Sequence, residues 1–148
     1  APFGAIFYAW SPAEAEAFLD AAAPPPTAEQ RAAMLDGMAF AREHGFAFAV
    51  QVQGYVGERT AEQVFGGQRE LPVTIASALD PERDYMLGGV MAPVFDARGQ
   101  VALVLSLMGM NRPTSGAEVR RMGQRLRESC QRITSFMGGR EPARQTAA

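Results

Sequence analysis

The densest apolar region of the chain runs from Met86 to Met110, as two apolar runs separated by Asp96-Ala97-Arg98-Gly99-Gln100. Val90, Val94 and Phe95 precede the break, and Val101, Leu103, Val104, Leu105 and Leu107 follow it. β-Branched and aromatic residues around a short segment with Asp and Gly predict a β-hairpin. Gly99 would supply the left-handed backbone position that such a turn requires. The second run is apolar at nearly every position, which predicts a strand covered on both faces. A hairpin alone is marginal in water, so the rest of the chain is expected to cover this one.

The flanking patterns supply the cover. Pro2 to Trp10 is nearly all apolar, with small residues at Gly4, Ala5 and Ala9, and predicts a short buried helix packed closely on a sheet. Ser11-Pro12-Ala13-Glu14 is a helix start, with Ser at the cap, Pro in the first position and Glu three beyond the cap. Ala15, Phe18, Leu19 and Ala22 then form one apolar face, and Pro24-Pro25-Pro26 ends the helix. Thr27-Ala28-Glu29-Gln30 repeats the capping signal. It predicts a second helix with Leu35, Met38 and Ala41 or Arg42 on its inner stripe, stopped by Gly45. From Phe46 to Gln53, Phe46, Phe48, Val50 and Val52 alternate with Ala47, Ala49, Gln51 and Gln53, the pattern of a half-buried strand.

Between Gly54 and Arg83 the pattern loosens. A short helix is expected over Glu58 to Phe65 and a strand over Val73 to Leu79, with Gly66-Gly67 between them. A long connection in a small domain is often functional, so this segment is read as a lid or an extra edge strand. Val119, Met122, Leu126, Cys130, Ile133 and Met137 recur at spacings of three or four and draw one stripe down a long closing helix, Ala117 to Met137. Gly138-Gly139 should end it, leaving residues 140–148 as a flexible tail.

A chain of 148 residues, 47% hydrophobic and 20% charged, suits a single domain with one core, here residues 1–139. The longest uncharged apolar runs fall far short of the roughly 20 residues of a membrane helix. No signal-peptide pattern opens the chain, and the single cysteine, Cys130, allows no internal disulfide; both fit a cytoplasmic protein. Charge is uneven: residues 1–111 hold 13 acidic residues and 6 arginines, residues 112–148 hold 3 and 8. The basic closing helix lacks the clustering and interleaved aromatics of a nucleic-acid surface, so its arginines are read as a solvated face.

Catalytic and metal chemistry find little support. One His and one Cys show no ligand spacing. Cys130 sits on an apolar stripe, which suits a packed thiol rather than a nucleophile. His44 falls at a helix C-terminus, where an imidazole gains from the dipole, and reads as a cap. Asp80, Glu82 and Asp84 surround Pro81 and Arg83 as in a turn. Gly66-Gly67 and Gly88-Gly89 lack phosphate-cradle spacing. No cofactor, no metal and no catalytic set is therefore expected. What remains is a small-molecule pocket: Met86, Met91, Met108 and Met110 lie in or beside the hairpin, and alternation puts Ser106, Met108 and Met110 on one face. Thioethers adapt to irregular ligands, and a hydroxyl among them can orient one.

The run Ala92-Pro93-Val94-Phe95-Asp96 with Gly99, then a strand ending Ser106-Leu107-Met108-Gly109 and a long closing helix, resembles the effector-binding domain of IclR-type bacterial transcription regulators. Arg42, Gly45, Phe46 and Ala47 match that family's helix-to-strand segment, whereas the stretch from Gly54 to Arg83 is longer than its pattern. The resemblance implies an α+β, GAF-like domain, an antiparallel sheet flanked by helices that also takes strands from upstream of residue 1. It implies a winged-helix DNA-binding domain N-terminal to this segment, so that DNA is met only through a part outside the chain, and dimers or tetramers. The ligand-binding positions it implies are Gly4, Ala5, Gly89, Ser106 and Met108, beside Met91 from the methionine cluster. Met108 departs from the small or polar residue usual there, which favours a more apolar effector. With the free N–H groups of a helix start at Gly4–Ala5, an aromatic or short-chain carboxylate is the expected class. The competing readings are a small α+β enzyme and an interaction module without a ligand.

Overall fold

The computed structural model describes residues 4–51, 73–110 and 112–143. In chain order the elements are α1 (Ala5–Tyr8), α2 (Pro12–Asp20), α3 (Ala28–His44), β1 (Ala47–Gln51), β2 (Val73–Ile75), β3 (Asp84–Phe95), β4 (Val101–Met108), β5 (Pro113–Ser115) and α4 (Gly116–Phe136). The strands form one antiparallel sheet in the order β2-β1-β3-β4, with β5 pairing the opening residues of β3. Helices cover both faces, an α+β architecture.

Local chemistry explains most element ends. At α3, the Thr27 hydroxyl accepts from the Gln30 N–H (3.2 Å) and the Gln30 side chain accepts from the Thr27 N–H (2.9 Å), a reciprocal cap. Its far end closes at Gly45, whose φ of 75° suits glycine and whose N–H donates to the Ala41 carbonyl (2.8 Å). At α2, Pro12 takes the first position, but the expected Ser11 side-chain cap is not formed. Arg31 instead ties α3 to α2 through Glu16 and Asp20.

β3 and β4 form the expected hairpin, running from the Gly89–Met108 pair to Phe95–Val101. Its turn is organised by Asp96, whose carboxylate accepts from the N–H groups of Arg98 (2.8 Å) and Gln100 (2.9 Å), and Gly99 has a φ of 77°. The burial is the reverse of the expectation for β4. β3 is buried from Leu87 to Phe95, whereas β4 lies at the edge with Leu103 (48%), Leu107 (43%) and Met108 (41%) exposed. Uniform apolarity marks a strand with two apolar faces; it does not say that this chain covers both. The central place goes to β3 because its twelve residues are long enough to pair with β1, β4 and β5.

Two cores flank the sheet. On one face Phe46, Phe48, Val90, Ala92 and Val94 pack with Val119, Leu126 and Cys130 of α4. On the other, Ala47, Ala49 and Met91 pack with Ala5, Ile6, Ala15, Met38 and Ala41 of α1–α3. β1 is therefore covered on both sides from Ala47 to Ala49, not half-buried as its alternation predicts. Its alanines face inward because small side chains let the helices approach. The predicted strand from Val73 to Leu79 is shortened to the edge strand β2. The helix expected over Glu58 to Phe65, Gly66-Gly67 and the lid of which they form part lie outside the described residues.

The closing helix buries Val119, Leu126 and Cys130 as expected, but Met137 is exposed, and Gly123 and Thr134 are buried on that face. The first residues of the expected tail are tied down. The Arg140 N–H donates to the Asp96 carbonyl (3.1 Å), and Glu141 accepts from Arg127 (3.1 Å) and Gln131 (2.8 Å). Asp80 to Asp84 form the predicted turn, with the Asp80 carboxylate accepting from the Glu82 N–H (2.9 Å).

Candidate functional site

The register of the hairpin decides which predicted residues meet. Directly opposed residues on antiparallel strands share a face. Gly89 pairs with Met108 and Met91 with Ser106, so these four occupy one patch, on the side of the sheet that α1 covers. Gly89 permits the close approach: a Cβ there would fall 2.9 Å from the Leu107 carbonyl oxygen and 3.5 Å from Cγ of Met108. Ala5 packs in the same core as Met91, and both are fully buried. Ser106 and Met108 are exposed at the edge. The patch thus grades from a buried thioether to an exposed hydroxyl and thioether.

Four expectations do not survive this geometry. Gly4 is turned toward α2, where a Cβ would meet the Phe18 ring at 3.6 Å, rather than toward Ser106. α1 has four residues, a single turn, too short for the dipole that would have favoured an anion. Met110 is not beside Met108: β4 ends, Gly109 turns the chain with a φ of 86°, and Met110 packs in the α4-side core. Met86 is exposed near β5 and also stands apart.

The backbone of β4 adds a feature that alternation alone did not give. Pro93 has no N–H, and it faces Val104 across the hairpin. The Phe48 carbonyl accepts from the Ala76 N–H (3.0 Å), so Phe48 bonds away from β3 and its partner Val90 turns its groups to β4. By alternation Pro93 turns away from β4, which leaves the Pro93–Val104 pair without crossing hydrogen bonds. By alternation, the N–H and C=O groups of Leu103, Leu105 and Leu107 face β3. Those of Val104, Ser106 and Met108 face the open edge, where no strand pairs with them among the described residues, whereas the alternation breaks at Ala102, the residue bulged out where the register shifts. β1 pairs with β3 no further than Met91, so the donor lost at Pro93 is one that β1 does not reach.

Two polar clefts lie elsewhere, and no sequence pattern pointed to them. One, of about 260 Å³, lies between the end of β3 and α4, lined by Pro93, Arg127, Gln131, Thr134 and Glu141 among others. The other, of about 380 Å³, is lined by Glu43, His44, Arg120, Gln124 and Arg127. Arg127 is the wall between them. It lies across Gly45, where a Cβ would fall 2.3 Å from its Nε, and its guanidinium is paired with Glu141. The side chain is thus occupied in joining α3, α4 and the tail. The pairing spans fourteen residues, which periodicity cannot register.

His44 does not cap its helix through Nδ1, which is buried and has no hydrogen-bond partner among the described residues; its ring stacks on Phe40 at 4.0 Å. Cys130 is buried, its Sγ donates to the Ala92 carbonyl (3.5 Å), and burial pushes the thiol pKa up, which disfavours the reactive thiolate. No group of three or more His, Cys, Asp or Glu side chains that could hold a metal ion is found among the described residues. No helix among them is long and apolar enough to cross a membrane. Comparison with protein-family models, with curated proteins and with solved structures found no match to this chain.

Proposed function

We propose that this chain is a ligand-sensing and self-associating domain, of the kind that resembles the GAF-like effector domain of IclR-type transcription regulators. The observation that carries the reading is the pairing of Gly89 with Met108 and Met91 with Ser106. It gathers four of the six positions named from the sequence into one patch beside α1. The motif residues Ala92 to Asp96, Gly99 and Ser106 to Gly109 support it from the sequence side.

The ligand is a small molecule with an apolar body and at least one polar group, met by Met91, Met108 and the Ser106 hydroxyl. An aromatic or short-chain carboxylate fits this description, with Ser106 rather than the one-turn α1 as the polar partner. In the whole regulator, binding shifts the population of dimer or tetramer arrangements in the cytoplasm, and DNA is contacted by a winged-helix domain outside this chain.

The test is a thermal-shift screen with benzoate, phenylacetate and butyrate, followed by calorimetric titration of each hit. A hit should bind more weakly to Ser106→Ala by about two- to twelve-fold, the loss of one hydrogen bond of about 0.5–1.5 kcal/mol. Absence of binding across the three acids contradicts the carboxylate reading. Equal affinity for Ser106→Ala contradicts the site. Turnover of a bound compound would favour an enzyme instead.

A further inference from the structure

We infer that β4 is a self-association edge, where two copies of this chain add antiparallel, β4 to β4, about a two-fold axis through Leu105 and join their sheets. The inference rests on the self-associating half of the proposed function and requires no ligand.

The strand Val-Ala-Leu-Val-Leu-Ser-Leu-Met carries no charge and no proline. Protective edges normally carry one or the other to discourage pairing. Eight residues give an edge of about 27 Å at 3.4 Å per residue. Three residues, Val104, Ser106 and Met108, present their N–H and C=O groups outward. The other edge strand, β2, has three residues among the described ones.

The occupant follows from symmetry. In an antiparallel pair, outward-pointing residues must oppose outward-pointing residues, so a second copy of β4 fits only in registers that match even with even. The register centred on Leu105 pairs Val104 of each copy with Ser106 of the other, so the outward groups of both gain partners, and it brings Met108 opposite the bulged Ala102. On the α4 face the same register sets Leu103 of one copy against Leu107 of the other, with Leu105 against itself. The two exposed leucines of each copy are thereby covered by apolar side chains. Nothing on the strand repels its own copy, since like charges are absent. On the opposite face Met108 meets Ala102, and the exposed Phe7 of α1, a helix that packs over β4, lies on the same side.

The register has a covalent signature. Leu105 opposes itself at a position without crossing hydrogen bonds, where Cα atoms are about 4.5 Å apart, within disulfide range. The experiment uses residues 1–148 in a Cys130→Ala background. Sedimentation velocity at rising concentration should show a monomer–dimer equilibrium. Leu105→Cys should oxidise to a covalent dimer, and Leu107→Cys should not. Ser106→Pro removes an outward N–H and leaves pairing with β3 intact, so it should shift the equilibrium to monomer while the far-ultraviolet circular dichroism is retained.

A chain that stays monomeric at high micromolar concentration overturns the inference. So does a dimer that persists in Ser106→Pro, or cross-linking at 107 and not at 105. A monomer that takes up an added extended apolar peptide on β4 would assign the edge to a different strand and overturn the second copy. Ligand binding by such a monomer would leave the sensing reading standing, so the two failures are separable.

Discussion

Gly123 of α4 lies directly against the ring of Phe46: a Cβ at residue 123 would fall 2.3 Å from two of the ring carbons. This contact sets how closely the closing helix seats on the sheet. In an exposed helix interior, replacing Gly would gain roughly 1 kcal/mol of helix propensity. Here the gain is opposed by overpacking, which costs about 1–3 kcal/mol when a core has no room. Gly123→Leu should therefore lower stability in urea unfolding, with an unchanged m-value. A stabilised variant would mean that α4 sits further from β1 than described.

Thr134 supplies the second close tie between α4 and the sheet. Its Oγ1 accepts from the buried N–H of Phe95 (3.0 Å), at the point where the β3–β4 register shifts. Thr134→Val keeps the shape and orphans that donor, which should cost on the order of 1–3 kcal/mol. Thr134→Ser keeps the hydroxyl and should recover most of the loss. Equal destabilisation of the two variants would show that the methyl packing, rather than the hydrogen bond, matters there.

Much of this was legible locally, because caps and turns depend on neighbours in sequence. The Thr27–Gln30 box, the left-handed Gly45 and Gly99 and the α4 stripe follow from spacing alone. The misreadings share one cause: burial depends on what the rest of the fold brings near. Ala47 and Ala49 read as an outer face because they are small, yet smallness is what lets α1–α3 approach. β4 read as interior because it is apolar, yet apolar faces can await a partner outside the described chain. The candidate patch was half legible. Alternation put Ser106 and Met108 together, and only the cross-strand register could add Gly89 and Met91 beside them. Gly4 was lost because the direction of a single helical turn cannot be read from its residues.

The hairpin turn should carry a pH dependence of its own. Backbone N–H donation to the Asp96 carboxylate, foremost from Gln100 and then from Arg98, with the Arg98 charge beside it, holds its pKa below the ordinary aspartate range. A depressed folded-state pKa gives stability that is present above the unfolded value of about 3.9. It is lost as pH falls through the lower folded value. Asp96→Asn should therefore be less stable than the wild type at neutral pH, with the gap closing below that range. Urea unfolding of both proteins across pH 7 to pH 2 checks this. A gap independent of pH would remove the carboxylate charge from the account.

The most direct measurement for the sensing reading is a methyl spectrum of the chain labelled at its methionines. The eight methyl groups report separate regions: Met91 and Met108 belong to the candidate patch, Met34 and Met38 to the α1–α3 core, Met86 to the pairing with β5, Met110 and Met122 to the α4 side, and Met137 to the end of α4. Titration with whichever of benzoate, phenylacetate or butyrate binds should move the Met108 and Met91 signals first and most. The Met122 and Met137 signals should stay in place, and Ser106→Ala should weaken the response without relocating it. Shifts led by Met122 or Met137, or no shift of Met91 and Met108 at saturation, would place the ligand elsewhere and contradict the assignment of the hairpin patch as the sensing site.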